Sequence, residues 1–228
     1  MNAVRDANAT MKHQDIDEVV DRLQQAYVDF RDPLVTEMTR THRNPYQVLI
    51  ATLLSLRTRD EQTRDAAKRL FALAPNPHHM VKLTAETIEK AIYPVGFYRV
   101  KAQRVLEVSQ ILLDRWGGDV PPDLDLLLEL PGVGRKTANL VMTRGYDLPG
   151  ICVDTHVHRI SNRLGYVKTR TPDETEMVLR KKLPQKHWII YNDLLVAFGQ
   201  NLCGPISPWC SKCPIPQFCQ RNGVKRSR

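Results

Sequence analysis

The chain has 228 residues, of which 42% are hydrophobic and 25% charged, a composition that excludes intrinsic disorder as the main state. It is long enough to bury a core without disulfide or metal support, as one large domain or two small lobes. The formal net charge of +8 at pH 7 indicates either a polyanionic partner such as nucleic acid or a basic surface that serves solubility alone.

The N-terminal segment and the hydropathy pattern bear on location. No apolar run approaches the roughly 18–20 residues that a membrane-spanning helix needs. The first fifteen residues mix acidic and basic side chains without an apolar core, which is not typical of a secretory signal. We therefore expect a cytoplasmic protein with no membrane partner.

Hydrophobic periodicity and capping signals predict helices along the whole chain, so the predicted fold class is all-α. Asn44-Pro45 is a helix start signal, and the apolar helix that it opens should be central and buried. Thr171-Pro172, with Glu174 behind it, forms a capping box. The predicted helices cover about 15–30, 46–56, 61–73, 84–91, 98–115, 123–129, 135–146, 155–164, 172–182 and 187–202.

The first chemical signal is the turn between the helices predicted at 123–129 and 135–146. It contains Leu130-Pro131-Gly132-Val133-Gly134. Its glycines let a ligand approach the backbone, and the free amides of Gly132, Gly134 and Arg135 at a helix start can bind a DNA phosphate. The same residues are also typical of an ordinary tight turn. The turn alone leaves both interpretations open.

Two residues behind this turn are candidates for catalysis. Lys136 lies in the first turn of a helix, where the dipole disfavours positive charge, and only a neutral amine attacks carbon. It is therefore either a Schiff-base nucleophile or a contact to phosphate or water. Asp154 begins another predicted helix, as an N-cap, a catalytic carboxylate or both. His156 and His158 follow it as candidate ligands or bases, or as a packed or DNA-facing pair.

Four of the five cysteines lie close together near the end of the chain. They are Cys203, Cys210, Cys213 and Cys219. A reducing cytosol does not keep such thiols as structural disulfides, so they indicate a metal site. Their spacing lacks the two tight Cys-x-x-Cys pairs common in zinc sites, but four thiolates suit either zinc or an iron–sulfur cluster.

Together these motifs resemble endonuclease III, a family of helix–hairpin–helix DNA glycosylase/AP lyases. The resemblance rests on 130–139, on 153–156, and on four cysteines separated by six, two and five residues. It implies a six-helix barrel domain over 38–148 and a discontinuous cluster domain of 1–37 and 149–228, with DNA between the two lobes.

The resemblance also implies the chemistry. Lys136 corresponds to the catalytic lysine and Asp154 to the catalytic aspartate, and the four cysteines correspond to ligands of a [4Fe–4S] cluster. The implied enzyme is a nucleoid-associated monomer that binds damaged double-stranded DNA. It removes oxidised or ring-saturated pyrimidines through a lysine Schiff base and cuts the strand by β-elimination. Two alternatives stay open, a monofunctional glycosylase in which Asp154 activates water and a DNA-binding module with a structural metal.

Further positions correspond to DNA contacts in that family. Arg57, where glutamine is common, corresponds to the residue that fills the gap left by a flipped base, and Phe97 to an apolar wedge. Glu129 corresponds to an acidic residue near the pocket. The alternatives are a solvated charge for Arg57, a core position for Phe97 and a surface cap for Glu129. The remaining predicted DNA contacts are Gly132, Gly134, Arg135 and His156.

One loop departs from the family pattern. The residues between the first two clustered cysteines, 204–209, carry no charge, whereas the family has basic residues there. Lys212 and the basic residues of 221–228 are candidates to replace that phosphate contact.

Overall fold

The structure is a computed structural model that describes Met11 and residues 13–27 and 43–228. These residues form two compact units. We call residues 43–150 the hairpin unit, and Met11 with 13–27 and 151–228 the cysteine unit. The described part contains no strand, so the predicted all-α class is confirmed.

The chain passes between the two units at two junctions, and the sequence predicts a domain boundary for each. The predicted boundary between 37 and 38 lies outside the described residues. The second junction falls between 150 and 151, where the sequence predicts 148 and 149.

Eleven helices occur among the described residues. They are α1 (Ile16–Tyr27), α2 (Pro45–Ser55), α3 (Asp60–Leu73), α4 (Pro77–Met80), α5 (Ala85–Ile92), α6 (Tyr98–Trp116), α7 (Leu124–Leu128), α8 (Arg135–Leu140), α9 (Thr155–Leu164), α10 (Pro172–Lys182) and α11 (Trp188–Asn201). Short 3-10 turns occur at His13–Asp15, Gln185–His187, Cys210–Lys212 and Pro216–Phe218. None of these helices is both long and apolar enough to cross a membrane.

Helix α2 is the centre of the hairpin unit, as its all-round apolar sequence predicts. The Asn44 side chain caps it by accepting a hydrogen bond from the Gln47 amide at 3.1 Å. Leu49, Ile50 and Leu54 are fully buried. Helices α3, α6 and α8 pack against it. Because α2 contacts the helix that follows the glycine turn, its burial helps to fix the start of α8.

Helix α11 has the same role in the cysteine unit. It is apolar almost all round, and both α1 and α9 pack against it. The apolar face of α1 includes Val19 and Val20, which are fully buried. The predicted end of the first helix, near residue 30, lies outside the described residues.

Two elements differ from the predicted ones. Helix α4 is not predicted, although Asn76 caps it through the His79 amide and Pro77 opens it. The helix predicted at 135–146 is α-helical to Leu140 and continues as a π turn over Val141–Gly145. In that stretch the Thr143 hydroxyl donates to the Asn139 carbonyl at 2.8 Å, a side-chain bond of the kind that perturbs a regular helix.

Candidate functional site

The predicted hairpin is present and is held by apolar burial on both sides of its turn. Asp123 caps α7 by accepting hydrogen bonds from the amides of Asp125 and Leu126. Leu130 and Val133 are buried, whereas Gly132 and Gly134 are exposed. Gly132 has a φ of +77°, a left-handed conformation that favours glycine. The turn therefore exposes two glycine backbones from a fixed position.

Lys136 is the second residue of α8 and is half-buried, as is Arg135 before it. The next two residues, Thr137 and Ala138, belong to the buried part of the hairpin unit. The backbone that carries Lys136 is therefore anchored by core packing within one residue of it.

Asp154 is the N-cap of α9, as predicted. Its Oδ1 accepts hydrogen bonds from the amides of His156 at 2.8 Å and Val157 at 2.9 Å. The cap uses one carboxylate oxygen, so Oδ2 is not needed for it. Lys136 lies in the hairpin unit and Asp154 in the cysteine unit.

The two histidines are half-buried and contact other side chains of the cysteine unit. The Nδ1 of His156 lies 3.1 Å from Nη2 of Arg159, and a side chain at Gly199 would collide with the His156 ring. The Nδ1 of His158 lies 2.7 Å from the Thr175 hydroxyl. The DNA contact of His156 stays a prediction.

Arg57 and Phe97 lie together in the hairpin unit. The Arg57 guanidinium is 5.8 Å from the centroid of the Phe97 ring. Both residues have left-handed backbones, with φ of 55° and 57°. Phe97 is 63% exposed, which excludes the alternative core position. The pair borders a cavity of about 790 Å³, counting its open mouth, that Gly132 and Lys101 also line.

Glu129 ends α7 and forms a surface ion pair. Its carboxylate lies 2.7 Å from the Arg115 guanidinium, and both side chains are about half exposed. This geometry resembles the surface alternative, and the location of Glu129 near a pocket stays a prediction.

Sequence reasoning missed Lys101, which is buried in α6. Its Nζ donates to the carbonyl oxygens of Leu54 and Leu56 and to the Thr58 hydroxyl, at 2.7, 2.6 and 3.1 Å. Burial lowers the pKa of Lys101 to about 8. One signal could have found it, because Lys101 is in helical register with the buried Val105.

The four clustered cysteines line a single cavity, and none of them is in a disulfide. Burial, with smaller contributions from the neighbouring cysteines, raises the pKa of Cys213 to about 11. The side chains of the described residues form no group of three or more ligands placed to hold one metal ion. All four predicted ligands thus line one cavity, where burial disfavours the free thiolates of Cys213 and Cys219.

Hydrogen-bond donors contact two of the sulfur atoms of this cavity. Arg163, itself buried and missed by sequence reasoning, donates from Nη1 to Sγ of Cys203 at 3.2 Å and to the Gly204 carbonyl at 2.9 Å. The Arg221 amide donates to Sγ of Cys219 at 3.4 Å. Such donors stabilise negative charge on sulfur.

Comparison with known proteins agrees with this geometry. Residues 50–185 match the family model described as HhH-GPD superfamily base excision DNA repair protein. An endonuclease III from Thermotoga maritima is 48% identical over 189 residues, which cover 82% of this chain and 89% of that protein.

Two solved structures resemble the chain over almost its whole length. One is a non-covalent endonuclease III–DNA complex, and the other is a trapped endonuclease III–DNA covalent intermediate. Each has a TM-score of 0.82 and 36% identity, and each match covers 93% of this chain and 97% of the other.

The hairpin geometry predicts unequal effects at its two glycines. Gly132→Ala should lower the free energy of unfolding by about 1–2 kcal/mol, because it forces a Cβ into the left-handed region. Gly134→Ala should cost less than about 1 kcal/mol, since its backbone is extended and a Cβ there meets nothing within 4 Å. Urea denaturation measures both values, and equal losses would contradict the backbone argument.

Proposed function

We propose that Lys136 and Asp154 are the catalytic residues of this chain, which belongs to the endonuclease III family of HhH-GPD base excision DNA repair proteins. The chain is a bifunctional DNA glycosylase and AP lyase of base excision repair. The observation that carries the residue assignment is the position of Lys136, directly after an exposed glycine turn and directly before buried core.

In the proposed reaction the hairpin binds the DNA backbone and the damaged base leaves the stack. The amides of Gly132 and Gly134 contact phosphate without reading sequence. Extrusion costs roughly a few kcal/mol, and less for a damaged base. Arg57 and Phe97 occupy the gap that the extruded base leaves.

Lys136 then acts as the nucleophile. Its neutral amine forms a bond to C1′ as the bond from C1′ to the base breaks, and the base leaves with a proton. Asp154 stabilises the positive charge that develops on the sugar and assists deprotonation of Lys136. The C1′–O4′ bond then breaks, O4′ takes up a proton and the nitrogen loses one, so that the sugar ring opens and a Schiff base forms. The Schiff base acidifies the C2′ proton, and removal of that proton expels the 3′ phosphate, which cuts the strand 3′ to the lesion.

The family supports the substrate class, and the exposed pair supports binding to a base that has lost its partner. We propose oxidised or ring-saturated pyrimidines and abasic sites in double-stranded DNA, bound by a monomer in the cytoplasm where the nucleoid lies. Support comes from the Arg57–Phe97 pair, which places a cation and an exposed aromatic ring side by side. Both groups stack favourably on unpaired bases.

We infer that Cys203, Cys210, Cys213 and Cys219 hold a [4Fe–4S] cluster. The four residues fit this group because they line one cavity, and because Arg163 and the Arg221 amide donate to two of the sulfurs. Burial holds the pKa of the Cys213 thiol above its usual range, and a positive iron core would stabilise its thiolate form. When bound, the cluster would cross-link the segment 203–219 and could exchange an electron.

The role of Lys136 predicts a specific loss. Lys136→Gln should slow strand cleavage at an abasic site by at least about a thousandfold, because an amide cannot form a Schiff base. Gel analysis of an abasic duplex measures the rate. Lys68→Gln, at an exposed position of α3, is the matched control and should leave cleavage unchanged. Cleavage by Lys136→Gln at the wild-type rate would exclude Lys136 as the nucleophile.

The two roles of Asp154 can be separated by substitution. Asp154→Asn keeps an N-cap oxygen, so the free energy of unfolding should change by only a few tenths of a kcal/mol, whereas Asp154→Ala should lose about 1 kcal/mol. Both variants should lose base release because both lack the carboxylate. Single-turnover assays measure release, and normal release by Asp154→Asn would show that capping is the whole role of Asp154.

The cluster assignment predicts the metal content. The wild-type protein should contain about four iron and four sulfide ions per chain. Cys213→Ser should lose most of both, together with visible absorption, while Cys152→Ala, at a buried cysteine outside the cavity, should keep them. Elemental analysis decides the point, and one zinc per chain without sulfide would contradict the assignment.

A further inference from the structure

Two neighbouring residues of the hairpin unit have strained backbones. Arg57 follows the end of α2 and Phe97 precedes the start of α6, and both have a left-handed φ without being glycine. A residue stays in that conformation only when its surroundings determine it. The contacts around the pair therefore have to hold two separate segments in place.

Lys101 holds the first segment. Its ammonium group donates to the carbonyl oxygens of Leu54 and Leu56, at the C-terminal end of α2, and to the Thr58 hydroxyl. A buried cation at a helix C-terminus satisfies carbonyls that lack a partner in the helix. The chain on both sides of Arg57 is thus bound to one side chain of α6.

Thr58 connects this contact to the second segment. Its Oγ1 accepts a hydrogen bond from the Gly96 amide at 3.1 Å, in addition to the bond from Lys101. A Cβ at Gly96 would lie 2.8 Å from the Arg57 carbonyl oxygen, so the two backbones touch. The residue before Phe97 is therefore fixed to the residue after Arg57.

We propose that Lys101 and Thr58 are positioning residues that lock Arg57 and Phe97 into a single wedge, so that both side chains enter a DNA duplex together. The inference rests on the proposed DNA contacts of Arg57 and Phe97. Neither Lys101 nor Thr58 acts on the sugar. Loss of the lock slows extrusion of a stacked base and spares cleavage where the base is already absent.

A merely structural role has a different signature. If Lys101 and Thr58 served folding alone, their removal would lower stability and slow both reactions alike. A lock selectively affects the step in which a base leaves the stack, so the ratio of base release to abasic-site cleavage separates the two roles.

The experiment uses matched variants of the full chain. Thr58→Val removes the hydroxyl at nearly constant volume, and Thr58→Ser retains it. Lys101→Met removes the ammonium group and keeps the stem, with Lys68→Met as the exposed control. A duplex with thymine glycol and a 2-aminopurine opposite it reports unstacking by fluorescence. The rates of single-turnover base release and of abasic-duplex cleavage are measured for the same variants.

The lock predicts that Thr58→Val and Lys101→Met lower base release by about tenfold or more and reduce the fluorescence rise, because small misplacements are costly in rate. Abasic-site cleavage should change by less than about threefold, and Thr58→Ser should restore both signals. Equal losses in both reactions, or wild-type behaviour of Thr58→Val, would overturn the lock.

Phe97→Ala separates this inference from the proposed function. A reduced fluorescence rise in Phe97→Ala together with a normal rise in Thr58→Val shows that the wedge exists and that the lock does not. A normal fluorescence rise in Phe97→Ala would contradict the wedge itself, and therefore the lock as well. Thr58→Val keeps the test decisive if Lys101→Met fails to fold.

Discussion

Apolar burial of helix ends is the constraint on which the rest of the molecule depends. Lys136 is followed at once by the buried Thr137, and Asp154 lies between the buried Val153 and Val157. The backbone of a polar residue next to buried residues has little conformational freedom, because its neighbours are fixed in the core. The packing that stabilises each unit therefore also places its reactive groups, and catalytic geometry needs little further free energy.

Two buried cations also fix the backbone near the proposed sites. Lys101 binds the end of α2, and Arg163 binds the chain around Cys203. In both cases a positive charge is buried away from water and donates hydrogen bonds to carbonyl oxygens instead. Arg163 also donates to the sulfur of Cys203. Such a contact fixes irregular backbone more specifically than apolar packing does, because each donor requires an acceptor at a defined place. Both cations hold segments that the proposed function uses.

Much of the fold follows from local signals. Asn44-Pro45 and the apolar run behind it predict the central helix α2, and the N-cap role of Asp154 is confirmed. Helix α4 is too short for hydrophobic periodicity to predict it, although Asn76-Pro77 is the same start signal as Asn44-Pro45. The contacts of Lys101 could not be predicted, because its acceptors lie more than forty residues away in sequence. Local pattern thus predicts helices and motif residues, and tertiary hydrogen bonds supply what positions them.

The central claim is that Lys136 forms the covalent bond to DNA. Borohydride reduction during reaction with a thymine glycol duplex would convert a Schiff base into a stable adduct, and proteolysis with mass spectrometry would locate it. We expect the modified peptide to contain Lys136, with no adduct formed by Lys136→Ala. An adduct on another amine, or base release with no adduct, would contradict the assignment, and the second result would favour activation of water by Asp154.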